Sequence, residues 1–340
     1  NGDFRGFDIV IGNPPYGVSI KGDYRKYLVN NLSKVPDYEI YYWFIDKSHQ
    51  LLKSDSIVSF IIPNSILFNV FAQNYRLDLF KKWKIEEILD CTDIDIFEDA
   101  TVRNIIFQFE KTNDSKQNLT YRNTSRIEVF DDLLAKQKTS LDYESISKNN
   151  QNWGLLFKLD KSIISALNKI KNNSNSLIDY FKETSQGLIA YDKYKGQSDE
   201  IIKSRAYHSK IKTKVTHKKW LHGADVKRYN VKWNGEEYID YCDGIANPRN
   251  PKFFKGERIL IREITNPRIF ASYTDEELYN DPSILIIKES EKGFNVKVLL
   301  GILNSNLLTF YHFNSSPKAT KGSFPKILVN DVNNFPVPKN

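Results

Sequence analysis

Phe7-Asp8-Ile9-Val10-Ile11-Gly12-Asn13-Pro14-Pro15-Tyr16 is the stretch from which the rest of the chain is best read. Its apolar residues Phe7, Ile9, Val10 and Ile11 run into a glycine and then into Asn-Pro-Pro. A short apolar run closed in this way reads as a buried strand of a parallel sheet that stops abruptly in a rigid turn. Outward from it, residues 38–53 carry Ile40, Trp43, Phe44, Leu51 and Leu52 at helical spacing. Residues 57–62 form a second apolar run ended by Pro63-Asn64, residues 72–83 look helical, and 85–89 and 104–109 read as strands. This alternation predicts an α/β fold built on a mostly parallel, doubly wound sheet.

From Thr112 to about Lys148 the sequence turns polar, with Asn113-Asp114-Ser115-Lys116-Gln117-Asn118 as a loop. The domain junction is expected here: a first domain over 1–112, a connecting segment over 113–152, and a second, mixed α+β domain over 153–340. Within the second, residues 159–170 and 297–313 read as helices, 258–264 and 284–288 as strands, and 323–338 as a Pro-punctuated tail.

Charge divides along the same line. The 340 residues hold 49 Lys and Arg against 42 Asp and Glu, a net of +7, but residues 1–112 carry −3 and residues 113–340 carry +10. The bases are densest over 203–233, where ten Lys and Arg face one acid, Asp225, with Tyr207, Trp220, Tyr229 and Trp233 interleaved. Bases for phosphate and aromatics for stacking suit nucleic acid; the alternative is a solvated basic surface. Two cysteines, Cys91 and Cys242, make neither a disulfide framework nor a cysteine zinc site. His208, His217 and His222 are spaced by nine and five, unlike a compact metal motif, so no metal is expected. No apolar run approaches the ~18 residues that cross a bilayer, and a cytoplasmic setting is expected.

The chemistry-bearing segment is Asn13-Pro14-Pro15-Tyr16, at the carboxyl end of the first strand, where open α/β sheets bind their ligands. Two prolines fix the backbone, so the Asn13 amide oxygen and the Pro14 carbonyl can act as paired acceptors for an amine. Tyr16 adds a flat face on which a planar group can stack.

These residues resemble the fourth motif of the N6-adenine DNA methyltransferases of restriction–modification systems. Residues 42–47, 51–52 and 57–63 resemble the helix and strand that follow it, and residues 95–106 resemble the eighth motif, with Phe97 at its aromatic position. Residues 186–189, 220–229, 258–263, 299–305, 324–327 and 335–338 resemble the target-recognition domains of the same enzymes. The resemblance implies a partial Rossmann-like methyltransferase sheet followed by a DNA-reading domain, in a type II system with a nuclease either fused or separate. It also implies S-adenosylmethionine as methyl donor, although the family's glycine-rich cofactor loop lies upstream of the Asn-Pro-Pro-Tyr motif and only twelve residues precede Asn13 here. The 340-residue chain by itself is therefore expected to bind cofactor poorly and not to turn over.

In the mechanism implied by the resemblance, duplex DNA docks between the domains and the target adenine flips out. Tyr16 and Phe97 sandwich the base while Asn13 and Pro14, with Pro15 holding the turn, accept hydrogen bonds from its amino group. Lys210, Lys212, Lys214, Lys218, Lys219, Trp220, Lys227 and Arg228 are expected to contact DNA. Two rivals stand beside this reading: a DNA-specificity module without catalysis, and a glutamine methyltransferase, which would have no use for the basic second domain.

Overall fold

The computed structural model describes residues 5–17, 20–31, 36, 39–94, 96–97, 102–112, 118–124, 127–150, 152–288, 294–316, 318–319 and 325–339. It divides into two units, residues 1–164 and 165–340.

The first unit is a six-stranded sheet of β1 (Phe7–Gly12), β2 (Leu52–Pro63), β3 (Lys84–Asp90), β4 (Asn104–Lys111), β5 (Leu119–Asn123) and β6 (Thr139–Leu141), in the order β1-β2-β4-β3-β5-β6. Its helices include α1 (Gly22–Asn31), α2 (Tyr41–Leu51) and α3 (Gln73–Lys82). The sheet is mixed rather than mostly parallel. β1 runs parallel to β2 and β3 parallel to β5, but β4 lies antiparallel between β2 and β3. No helix is seen among the described residues between β3 and β4, so the chain turns back as a hairpin-like return instead of crossing over.

β2 shows why the sheet holds. Ser56, Val58, Phe60 and Ile62 are buried at every second position, and they face a core shared with Tyr41, Tyr42 and Ile45 of α2 and Leu79 and Phe80 of α3. Arg76 of α3 is fully buried: its guanidinium donates to the carbonyls of Ile66 (2.9 Å), Asn69 (2.9 Å) and Asn150 (2.6 Å), and burial pulls its pKa down to about 10.

Two readings from sequence need correction. The polar stretch 113–152 is no mere connector, because it contains β5 and β6 of the sheet and its Tyr121, Leu141 and Ile146 enter the core. The core then continues through Trp153, Phe157 and Ile164, which places the boundary at 164 rather than 112. β1 is also less buried than its composition suggests: Ile9 is 60% and Ile11 77% exposed, and among the described residues β2 is its single strand neighbour.

The second unit contains β7 (Ser174–Ser176), β8 (Glu183–Gln186), β9 (His208–Ser209), β10 (His217–Leu221), β11 (Val226–Lys227), β12 (Asn230–Val231), β13 (Tyr238–Asp240), β14 (Arg258–Arg262), β15 (Ala271–Thr274), β16 (Tyr279–Asn280), β17 (Ile284–Lys288) and β18 (Pro336–Pro338). They form two four-stranded sheets, β16-β10-β13-β9 and β15-β14-β17-β8, with the two-stranded pairs β11-β12 and β18-β7. Residues 297–313, read from sequence as one helix, form two: Val296–Leu303 and Asn306–Ser315. The break has a cause. Asn304 is fully buried and pairs with both the N–H (3.2 Å) and C=O (2.9 Å) of Ala271, while Ser305 caps the second helix through Leu308 N–H. Gly187 sits where a Cβ would lie 2.1 Å from the Asp281 carbonyl oxygen, so no other residue fits between β8 and that loop.

His312 is fully buried beside Phe313 and Phe335, and burial pushes its pKa down to about 4. Below its ordinary pKa near 6.5 the unfolded chain takes up a proton that the folded chain refuses, so stability is full above that pH and falls as pH drops towards 4. The contribution is roughly 3 kcal/mol. Urea unfolding of the second unit's signal should therefore lose stability between pH 6.5 and about 4, and His312→Leu should remove that part of the slope. Parallel pH curves for the two proteins would contradict it.

Candidate active site and nucleic-acid face

Parallel pairing of β1 with β2 aligns Gly12 with Phe60, so the Asn13-Pro14-Pro15-Tyr16 turn leaves the sheet at the edge where β2 ends at Pro63. β4 begins at that same edge, with Asn104 opposite Pro63, and β3 ends there with Asp90 opposite Ile105. Four strand ends from distant parts of the sequence thus meet at one rim.

Asn13 and Pro15 are exposed, Pro14 is buried, and Tyr16 is half-buried against the first core. The turn is tied down at two points. The Gly17 N–H donates to Glu39 Oε2 (2.9 Å), and the buried Asn104 side-chain amide donates to the Tyr16 hydroxyl (3.3 Å). The Asn13 side chain is left facing solvent while its neighbours are anchored, an arrangement suited to receiving a donor from outside. Phe97 lies in the loop between β3 and β4 and is half-buried. Residues 95 and 98–101 of the same loop lie outside the described residues.

Beneath the rim runs a polar network that the sequence reading missed. Asp90, 3% exposed, accepts from the Tyr121 hydroxyl (2.7 Å) and the Thr92 N–H (3.0 Å), also pairs with the Thr92 hydroxyl, and has Lys158 Nζ at 3.4 Å. The Asn64 amide donates to Thr92 Oγ1 (2.9 Å), and the Asn64 N–H to the Arg103 carbonyl (2.8 Å). This ties the ends of β2, β3 and β4 to β5. Burial together with Asp90 lifts the Tyr121 hydroxyl far above its usual range and the Cys91 thiol to about 11, which leaves Cys91 a poor nucleophile at neutral pH. No motif announces Asp90, whose one signal is a polar residue at the end of an apolar strand; Asn104 falls inside the stretch 95–106 that resembles the eighth motif, but nothing in that stretch singles it out as an anchor.

In the second unit the expected DNA-contacting residues separate into three groups. Lys210, Lys212 and Lys227 are exposed and have no ion pair among the described residues. Lys214, Lys218 and Lys219 are paired, with Asp240 (2.6 Å), Glu277 (2.9 Å) and Glu276 (3.4 Å). Arg228 sits at the tip of the β11-β12 hairpin, donates to the Asn304 carbonyl (3.1 Å), and lies over the Tyr229 ring at 5.1 Å. Tyr229 itself takes a positive φ of 64°, uncommon for a non-glycine residue, with its N–H donating to the Ala271 carbonyl (2.8 Å).

Trp220 is a correction. It is 3% exposed, in the core with its ring edge-on to His208, so it has no face to offer a base. Both Trp220 and Leu221, at the end of β10, are buried, while Lys219 before them is exposed. His208 and His217 are structural as well. The Tyr191 hydroxyl and His208 Nδ1 are 2.8 Å apart, and burial helps hold the His208 pKa down at about 4. Among the described residues no group of three or more His, Cys, Asp or Glu is placed to hold a metal ion, and no helix is long and apolar enough to cross a membrane.

Asp90→Ala should leave a buried phenol and an amide without their acceptor and cost about 3 kcal/mol, read as a lowered urea midpoint for the first unit. A loss below about 0.5 kcal/mol, the scale of an ordinary surface substitution, would show that this network does not hold the rim.

Residues 1–97 match the family profile of the Eco57I restriction-modification methylases, and residues 218–337 match that of the TaqI-like C-terminal specificity domain. Over 350 aligned residues the chain is 28% identical to a putative type II restriction enzyme and methyltransferase, RM.MjaORFECS2P, of Methanocaldococcus jannaschii. The alignment covers 99% of this chain but spans 28% of the relative's length. Among solved structures, the type IIL restriction-modification enzyme MmeI in complex with DNA is similar in fold, with a TM-score of 0.56 at 13% identity over 96% of this chain and 46% of that one. The type IIG restriction endonuclease BpuSI aligns over 99% of this chain and 47% of that one, with a TM-score of 0.42 at 13% identity. Residues 1–97 are thus similar to the Eco57I restriction-modification methylases and residues 218–337 to the TaqI-like C-terminal specificity domain, and the two matches follow one another along the chain.

Proposed function

We propose that this chain carries the base-holding and DNA-reading parts of a site-specific adenine N6-methyltransferase of a type II restriction–modification system. The observation that carries the reading is the Asn13–Tyr16 turn at the rim of the sheet, anchored through Gly17 and Asn104 but with Asn13 open to solvent. A planar base with an exocyclic amine is the ligand suited to such a turn. The Asn13 amide oxygen and the Pro14 carbonyl accept its two N–H groups, which leaves the nitrogen lone pair directed outward as a nucleophile. Tyr16 and Phe97 supply aromatic surface that offsets part of the few kcal/mol lost when a base leaves its stack. Catalysis on this side of the reaction is positioning and electrostatics, with no covalent intermediate on the protein.

The methyl donor in this reading is S-adenosylmethionine. Among the described residues no glycine-rich turn follows a strand of the first sheet, so the residues present fit the acceptor base and not the cofactor. No step is derived through the cofactor for that reason. Duplex DNA is the proposed macromolecular partner, gripped through phosphate by the free Lys210, Lys212 and Lys227. A fused or separate nuclease is the proposed functional companion, and the cytoplasm the proposed location.

In the full protein that carries this sequence, Asn13→Ala should lower methyl transfer to duplex DNA at least a hundredfold while DNA affinity changes less than about threefold. Equal loss of binding and transfer would overturn the assignment of Asn13.

A further inference from the structure

The loop over residues 210–216, between β9 and β10, is exposed throughout and holds Lys210, Lys212 and Lys214 with no acid. Its apolar members lie in the open: Ile211 is 69% and Val215 90% exposed. An exposed apolar side chain is ordinary by itself, but this loop is also braced from inside. Ser209 Oγ donates to the Ile211 carbonyl (2.8 Å) and accepts from the Ile211 N–H (3.1 Å). The buried His217 accepts the Thr213 N–H at Nδ1 (3.2 Å) and has the Ile211 carbonyl oxygen at the same distance. At the far end, Lys214 Nζ meets Asp240 Oδ2 (2.6 Å), the His217 N–H donates to the Lys214 carbonyl (3.2 Å), and the Tyr241 N–H to the Thr216 carbonyl (3.0 Å). Both ends of the loop are thus fixed, and its β-branched Ile211 and Val215 have little rotamer freedom to lose on contact.

We propose that this braced spur is a DNA wedge. Ile211 and Val215 enter a groove of duplex DNA and press against a base step, while Lys210 and Lys212 take phosphates on either side. The inference rests on the DNA reading above and adds to it an apolar contact with the bases. Duplex DNA is the occupant because Lys210 and Lys212, which have no ion pair among the described residues, flank Ile211, and apolar wedges framed by Lys or Arg are how proteins unstack a duplex step. His217 and Asp240 act as positioning residues for the tip.

Phosphate contacts set the salt dependence of binding, and apolar contacts do not, so the two can be measured apart. The test is fluorescence-anisotropy titration of a random-sequence duplex over a series of salt concentrations with the 340-residue chain. Ile211→Ser with Val215→Ser should weaken binding about tenfold at every salt concentration and leave the slope unchanged. Lys210→Gln with Lys212→Gln should instead flatten the slope by about 2. Circular dichroism of both variants should match the parent, since every substituted side chain is exposed. If the parent binds duplex DNA and the Ile211/Val215 variant binds it equally well, the wedge is wrong and the DNA reading stands. If the parent does not bind duplex DNA at all, both fall.

Discussion

One strand pairing decides where the chemistry can be. β1 reaches the sheet through β2 alone among the described residues, in parallel and with Gly12 level with Phe60. That register carries the Asn13–Tyr16 turn to the rim at which β2 ends, β4 begins and β3 ends. A slip of one residue would turn Asp8 and Val10 to the opposite faces and move the turn off its two anchors, Glu39 and Asn104. β1 gains little burial of its own, with Ile9 and Ile11 both largely exposed. Its position therefore depends on a neighbour that is firmly held, and β2 is: it is flanked by β4 along eight residue pairs and its alternate residues enter the core.

The second unit obeys a different constraint. Its sheets are short, and they are joined by buried polar contacts at loop positions rather than by long strand ladders. Asn304 binds the backbone of Ala271 on both sides, Arg228 and Arg268 both donate to the Asn304 carbonyl, and Arg258 is buried against the carbonyls of Gly256 and Leu278. Basic residues thus serve two ends here. Some hold the framework and some, such as Lys210, Lys212 and Lys227, remain free at the surface, so the charge of a segment overstates how many of its cations a phosphate could meet.

Much of the first unit was legible in sequence because its strands are apolar runs with abrupt ends. The Phe7–Gly12 strand, the helix before β2, and β3 and β4 all lie close to where periodicity puts them. The direction of β4 was not legible, since an apolar run carries no sign of its polarity in a sheet. Nor were β5 and β6, whose residues Thr120, Arg122, Thr139 and Ser140 alternate with only a few apolar partners. In the candidate site, the Asn13–Tyr16 segment stood out because proline and aromatic residues follow a strand directly. Asp90 did not, and Asn104, although inside the stretch 95–106, was not singled out, because what marks both is burial at a strand end, and burial is a property of the fold. Trp220 misled for the converse reason: an aromatic among lysines suggests stacking on bases, but the end of this short strand is packed into the second core together with Leu221.

The central claim is that the turn holds the exocyclic amine of adenine. It is tested most directly by identifying the methylated nucleoside after duplex DNA is incubated with S-adenosylmethionine and the full protein carrying this sequence, then digested and resolved by mass spectrometry. The account predicts N6-methyladenine as the product, absent when Asn13 is replaced by Ala. Methylated cytosine, or N6-methyladenine formed equally well without Asn13, would contradict it.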